Sequence, residues 1–491
     1  MKQLLLNFFA TIGMIGMVTA QGYTTPDTNS TFTLDDLVSA SPSTISVSGT
    51  TYTLVEDLTI SASDTFNISE DVTLEIGEDI RITIYGIFNV DADNAVFTAI
   101  DTTFPYDGFR FEEFSDITIQ NATIQYGGGL RVLTETFTID NCLITNNVSG
   151  VSTSGAIGIS RGKPQITNNT ITFNQTTAIG SGATNLVSPY IFNNYIEGNN
   201  QANSNRPQIN LGPTLESDPT EIIQNTIKGD RSLTQVGGIS VSDLLSAGGV
   251  NAIIDDNVII DNRYGMVIQS NNVSAFIRNN VIEDNNTQGN PNLGGSGISL
   301  LASVEGNVIV ASGNEIRRNL WGITLQGESM INLGDDVDNI GQNVFSGNGN
   351  GGTIYAVYNN TDNPLTAMHN CWDEENTPNT LADAEAVIVH QNDIATLGLV
   401  TFDPVNCGFL SVDELAYNEM AIYPNPTSGQ FSLTNNTLFN QMNVYSIDGK
   451  LIMQKTLQSG SNDLYLDLNT GLYLLEFNGL NAKSTKKLVI K

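Results

Sequence analysis

A six-residue phrase, Asn-x-Ile-x-x-Asn, constrains this chain more than any other feature. It is plainest at Asn280-Val281-Ile282-Glu283-Asp284-Asn285, and it returns at 169–174, 194–199, 257–262 and 314–319. Near-copies open at Asn141, Asn225 and Asn343, so successive openings lie 23 to 34 residues apart. A period of this size with variable insertions is the mark of a solenoid. The single apolar residue between polar neighbours is strand-like alternation. In several repeats a second run follows, as at Gly265-Met266-Val267-Ile268, Gly297-Ile298-Ser299-Leu300 and Gly322-Ile323-Thr324-Leu325. A third precedes the next phrase, as at Ala252-Ile253-Ile254 and Ala275-Phe276-Ile277. Three short strands per repeat, rich in Ile and Val with no helical period between them, predict a parallel β-helix. Each strand then pairs with its copy one coil on, at the ~4.8 Å strand spacing. The phrase Asn is expected at a turn, where it tolerates left-handed backbone and its amide can bond along the stack.

Composition narrows the partners. The chain has 491 residues, with 19 Lys and Arg against 52 Asp and Glu, a formal charge of −33. Such a surface repels nucleic acid and anionic lipid, so neither is an expected partner. Divalent cations and neutral or cationic ligands remain. The three cysteines, Cys142, Cys371 and Cys407, have no metal-ligating spacing. Cys142 follows a phrase Asn and reads as a small core or turn residue. Cys371 and Cys407 fall at the end of the repeats, where a bridge would staple the solenoid in an oxidising compartment; two free thiols are the alternative.

Residues 1–20 read as a secretory signal peptide, with Lys2, an apolar run over Leu4–Val18 and cleavage after Ala20. No later segment is apolar enough for a membrane helix. Residues 21–44 form a leader or cap, with a short helical piece around Leu34–Val38. Residues 45–407 form the solenoid. Its first strands, from Ile45 to Ile100, lack the Asn phrase and read as irregular capping coils that cover a bare sheet edge. Insertions at 201–208, 212–219, 244–249, 287–295 and 328–341 leave the scaffold as loops, where function tends to sit. A linker spans 408–418, and a separate all-β module of sandwich type fills 419–491.

That last module carries Tyr423-Pro424-Asn425-Pro426-Thr427-Ser428-Gly429, then an Asp448-Gly449 hairpin turn, Gly471-Leu472-Tyr473, and a basic final strand with Lys486 and Lys487. These elements, in this order at the chain end, resemble the type A C-terminal sorting domain of the Bacteroidota type IX secretion system. The resemblance implies handling by that machinery, with the domain as an address that is usually removed and the cargo released or held at the cell surface. The phrases Asn262-Arg263-Tyr264-Gly265-Met266 and Asn319-Leu320-Trp321-Gly322-Ile323, and the closing Asn370-Cys371-Trp372, resemble secreted right-handed parallel β-helix proteins of the pectate-lyase-like superfamily. That fold hosts lyases, hydrolases, epimerases, adhesins and proteins without known chemistry, so it implies no single activity.

Stacking creates specific neighbours. If Asn257, Asn280 and Asn314 align, Ile260, Glu283 and Arg317 share one outward row and Asp261, Asp284 and Arg318 the next. Solvated ion pairing is one reading of these rows. The other takes Asp261 and Asp284 as catalytic carboxylates about 5 Å apart, a separation that suits glycoside cleavage. Asp335, Asp336 and Asp338, packed in an insertion, could hold Ca²⁺ or form a solvated acidic turn. Tyr264 and Trp321 hold equivalent places two after the phrase Asn, as a sugar-stacking platform or as turn packing. Tyr190, Tyr195 and Trp372 raise the same choice. The motif set of polygalacturonase-type enzymes is matched only in its least specific element, the Asp-Asp pairs, and neither His369 nor His390 sits in Gly-His-Gly. Arg161-Gly162-Lys163 is the one basic turn that resembles a lyase base, against a default of solvated turn charges. The leading expectation is a secreted or surface-attached protein that binds extracellular glycans or serves a structural or adhesive role. A polysaccharide lyase or hydrolase is the alternative.

Overall fold

The structure is a computed structural model that describes residues 22–243, 245, 248–408, 422–435, 439–446, 450–458, 460–478 and 483–491. The expected signal peptide, most of the expected linker and the Asp448-Gly449 turn lie outside them. The chain divides into two compact units after Cys407.

Among the described residues, the strands of the first unit stack into three long sheets of 14, 13 and 11 strands. All pairings in them are parallel except the opening hairpin, Ile45–Ser48 with Thr51–Leu54. Three strands make a coil. Val273–Arg278 lies in the 11-stranded sheet, Val281–Glu283 in the 13-stranded sheet and Ser296–Ala302 in the 14-stranded sheet. Inward side chains stack into apolar columns. The clearest runs Ile124, Ile144, Ile171, Ile196, Ile227, Ile259, Ile282, Ile316 and Phe345, pair by pair in register and all buried.

The Asn phrases build two ladders, and the structure divides the work expected of one residue between two. The left-handed backbone falls one position earlier, at Asn168, Asn193, Gln224, Asp256 and Asn279 before one ladder and at Asp261, Asp284 and Arg318 before the other. The ladder Asn itself is buried and spends its amide along the stack. Asn280 donates its backbone N–H (3.1 Å) and its side-chain amide (2.9 Å) to Oδ1 of Asn314, and its amide also reaches the Ile254 carbonyl at 2.9 Å. Its own Oδ1 accepts the same two bonds from Asn257. This ladder runs from Cys142 through Asn169, Asn194, Asn225, Asn257, Asn280, Asn314 and Asn343 to Asn370. The near-copy that opens at Asn141 and closes at Asn146 is therefore one place out. Both are left-handed turn residues, and the ladder slots belong to Cys142 and Asn147. Counted from Ala122, whose N–H meets the Cys142 sulfur, Ile124 is in register with the later coils. In the second ladder no Asn is available beside Asp230. Gln208 reaches in from the preceding insertion and bridges Asn199 to Asn262.

The early strands correct a second expectation. Residues 58–99 form regular three-strand coils in register with the rest of the solenoid. The corner slot that Asn takes in later coils is filled here by buried Val72, Ala95 and Ala122, in register, and rings pack the core. Phe66, Phe88 and Phe111 stack at 5.2 and 6.2 Å, and Phe137 follows at 5.8 Å. The cap is smaller: the hairpin and the helix Leu34–Ala40, whose Thr33 and Asp36 form a capping box and whose Leu34 and Leu37 are buried. Buried Asp64 ties the leader down by accepting the backbone N–H groups of Asp27, Thr28 and Ser30. At the other end Cys371 and Cys407 form a disulfide. Trp372 lies flat on Phe345 at 5.0 Å, in the core and not on a sugar-facing surface.

The second unit holds antiparallel sheets of three and four strands around a core of its own, with Phe431, Leu433, Val444, Leu475, Phe477 and Leu488 buried. No helix among the described residues is long and apolar enough to cross a membrane.

Because each ladder Asn satisfies several buried groups, its loss differs in kind from the loss of its left-handed neighbour. Asn280→Ala is expected to cost about 3 kcal/mol or more in chemical denaturation at neutral pH. Asn279→Gly, which keeps the turn conformation that Gly313 already adopts one coil on, should stay within about 1 kcal/mol of the parent. Equal losses would show that the amide stack contributes nothing beyond the turn.

Candidate functional site

The side chains singled out in the sequence fall into three separate places on the solenoid. The first is the charged face of the 13-stranded sheet. Ile260, Glu283 and Arg317 are in register, and Arg317 bonds Glu283 at 2.8 Å. Arg317 also holds Glu374 through two bonds of 2.7 and 2.9 Å and contacts Glu315. Arg318 binds Asp284 at 2.8 Å and Glu283 at 2.5 Å. Asp261 is taken by Arg231 at 2.7 Å, and Lys228 pairs with Glu197 at 2.8 Å. Asp261 and Asp284 thus project from left-handed turn positions, each neutralised by an arginine. Arg161 and Lys163 are likewise paired, with Glu113 and Asp218. Arg317 is the least exposed member, and its partners hold its guanidinium more firmly protonated than usual, Glu374 most of all. The same bond keeps the Glu374 carboxyl below the ordinary carboxylate range.

The second place is the acidic insertion. Asp335 Oδ1 accepts the backbone N–H groups of Val337, Asp338 and Asn339 at 2.8–3.0 Å, and Oδ2 takes the Asn332 amide. These bonds, that from Asn339 foremost, lower its carboxyl to about 2. Asp336 pairs with His369 Nε2 at 2.8 Å. The insertion closes a turn with its own carboxylate, and no group of three His, Cys, Asp or Glu among the described residues is placed to share a metal ion.

The third place is a groove of ≈ 580 Å³ on the 14-stranded sheet. Its floor is one outward row, Val267, Ser299, Thr324 and Tyr358, in register across four coils. Its shape comes from the neighbouring row. Tyr264, Ser296 and Trp321 occupy equivalent places in successive coils, so one small residue separates two large rings. The Tyr264 ring lies back over Gly237, where a Cβ would come within 2.1 Å of it. Burial raises its hydroxyl to about 12. Trp321 leans the other way, onto Tyr355 (4.6 Å) and Tyr358 (5.6 Å, nearly parallel). The gap over Ser296 is the groove. The coils approach this closely because the residue after each ring is glycine; a Cβ at Gly265 would meet the Gly297 carbonyl oxygen at 2.4 Å.

The insertion 287–295 forms the wall. The Trp321 indole N–H donates to the Pro291 carbonyl at 3.0 Å, which fixes both the ring and the loop. Arg263 backs the wall with one bond to the Leu293 carbonyl and another to Asn205. The remaining lining is uncharged, with Asn292, Ser296, Gln326 and Asn360 joining Ser299 and Thr324, and Leu293 and Leu325 adding apolar surface. No Asp, Glu, His, Lys or Arg lines it. The sequence marked Tyr264 and Trp321 but gave no sign of Tyr355, Tyr358 or Ser296. The only available signal was the small residue between two rings at one repeat position.

In the second unit, the motif elements meet at the last strand. Asn425 donates to the Lys487 carbonyl (2.7 Å) and accepts the Val489 N–H (2.9 Å), while Thr427 exchanges backbone bonds with Val489 and Lys491. Gly429 holds a positive φ of 108°. Tyr473 donates its hydroxyl to the Asn469 carbonyl. Tyr423 and Lys487 are exposed.

Comparison with known proteins places both units. Residues 43–310 match the family model of the right-handed beta helix region. Residues 421–491 match the secretion system C-terminal sorting domain. A solved structure of a mutant periplasmic alginate epimerase, AlgG, shares 14% identity, covers 77% of this chain and 82% of its own, and superposes with a TM-score of 0.38. No curated protein matches the chain.

The charged face yields a stability prediction. Arg317→Met leaves Glu315 and Glu374 without a cation and Glu283 with Arg318 alone, and with solvent screening of the half-exposed acids it is expected to cost about 1–2 kcal/mol at pH 7. Glu374 has a depressed folded pKa, so its contribution is complete above 4.5, the ordinary value, and is lost as pH falls through the lower folded one. The difference between parent and variant should therefore shrink on acidification below 4.5. A gap that stays constant in denaturation curves down to pH 3 would show that Glu374 is not held by Arg317 in solution.

Proposed function

The chain belongs to the right-handed β-helix family and carries a C-terminal sorting domain, and from that premise we propose that its solenoid binds extracellular glycans through the groove between Tyr264 and Trp321. The sorting domain marks the protein for export by the type IX secretion system, to the cell surface or the medium. The observation that carries the reading is the groove's lining: aromatic faces beside neutral hydroxyls and amides, with no ionisable acid or base other than phenols. Sugar rings present apolar faces edged by hydroxyls, which match such a lining. General acid–base cleavage needs a titratable group within hydrogen-bond reach of the scissile bond. The groove offers no carboxylate or imidazole, and Asp261 and Asp284, outside it, are each bound by an arginine. These facts favour binding over acid–base hydrolysis.

The test is a polysaccharide panel on the full exported chain, recording retention together with release of reducing or unsaturated ends. Retention is expected without product. Trp321→Ala should weaken it by about tenfold or more, as for an aromatic anchor in a pocket, and Asp261→Asn should leave it unchanged. Product release that disappears in Asp261→Asn or Asp284→Asn would overturn the proposal and make the charged face a catalytic site.

A further inference from the structure

We propose that the ligand of this groove is an uncharged polysaccharide chain lying across several coils, and not a uronate polymer; the inference rests on the groove being the glycan site. Two observations carry it. The first is charge. A uronate carboxylate taken into a groove must exchange its water for a cation or for several strong donors. The lining holds no Lys, Arg or His, and no set of carboxylates that could hold a bridging divalent cation. Arg263, behind the wall, already spends both terminal nitrogens on the Leu293 carbonyl and Asn205. The surrounding protein carries 52 acidic residues against 19 Lys and Arg, which repels a polyanion at long range as well. Ser299, Gln326, Asn292 and Asn360 instead offer both donors and acceptors, as sugar hydroxyls require, above a Ser296–Thr324 hydroxyl pair already bonded at 2.9 Å.

The second observation is length. The floor row crosses four strands, Met266–Gln269, Ser296–Ala302, Trp321–Gly327 and Val357–Asn360. Three inter-strand gaps give a floor about 14 Å long. That run holds several sugar units in line, so a single sugar would leave most of the groove empty. The aromatic faces lie at opposite ends of the Ser296 gap, Tyr264 on one side and Trp321 with Tyr358 on the other.

The experiment titrates the full chain with uncharged polymers (β-glucan, xylan, mannan) and with polygalacturonate and alginate, each with Ca²⁺ or with EDTA, at low and high salt. Trp321 is one of two tryptophans, and the other, Trp372, is buried in the closing core, so ligand-induced fluorescence change reports the groove. The expected result is binding of at least one uncharged polymer, insensitive to salt and EDTA. Affinity should rise with oligosaccharide length before levelling off, and drop about tenfold or more in Trp321→Ala. Gln326→Ala, a change at an exposed rim position that leaves the core intact, should cost a few-fold and guards against a misfolded tryptophan variant. Uronate binding that falls with salt or EDTA and is lost in Trp321→Ala would overturn the uncharged-ligand inference while keeping the groove as a glycan site. Binding of no polymer, or binding that neither variant alters, would overturn both.

Discussion

Everything in the solenoid depends on buried amides bonded along its axis. A coil of three short strands must turn sharply, and each turn would bury backbone polar groups with no strand partner. The ladder Asn resolves this by placing one side chain inside the corner, where it accepts from the coil before and donates to the coil after. An unpaired buried polar group costs about 1–3 kcal/mol, so a ladder with one missing rung is worse than an apolar corner. That asymmetry explains the substitutions the ladder tolerates. Cys142 at the start of one ladder still offers a sulfur acceptor to Ala122. Gln208, borrowed from a loop, restores the bridge where the coil's own residue cannot.

Fixed corners fix the register, and register decides which surface side chains meet. This is why the charged rows were legible from spacing alone. Once Asn257, Asn280 and Asn314 align, Glu283 must face Arg317 and Asp284 must face Arg318, and both pairs form. The same logic failed twice in the N-terminal part of the solenoid. Asn141 looked like a phrase opening because the left-handed turn residue and the ladder residue are both commonly Asn, and only the pairing of Leu143 with Thr170 separates them. In coils 58–99 the ladder slot is held by Val72 and Ala95 in place of Asn, so a reading keyed to Asn saw irregular caps where the coils are regular. The groove was half legible. Its rings stand in the repeat, but its opening comes from a small residue in the coil between and a wall from an insertion, neither of which has a period.

The charge of the molecule is organised in the same way. The described cations Lys228, Arg231, Arg317 and Arg318 of the 13-stranded face are each drawn into a pair with an acid one coil away, so none of them stands unmatched. Each exposed pair contributes little to stability. Their effect is on recognition, because few cations on that face are left to meet an anionic partner. The 14-stranded face takes the other course and excludes charge from its groove altogether. A polyanion thus meets paired arginines on one face and no cation in the groove of the other.

Binding on such a surface also differs energetically from binding between mobile loops. The floor side chains stand on strands paired on both sides, and the Trp321 ring is fixed by its bond to Pro291 and its stack on Tyr355 and Tyr358. Little side-chain freedom remains to be lost when a ligand arrives, and that loss is one of the main costs of association. A shallow neutral groove gains no charge-assisted bonds, so its affinity must come from low ordering cost and from repeated contacts along an extended chain. The register of the β-helix supplies both, so a ligand bound as proposed requires no enclosing lid.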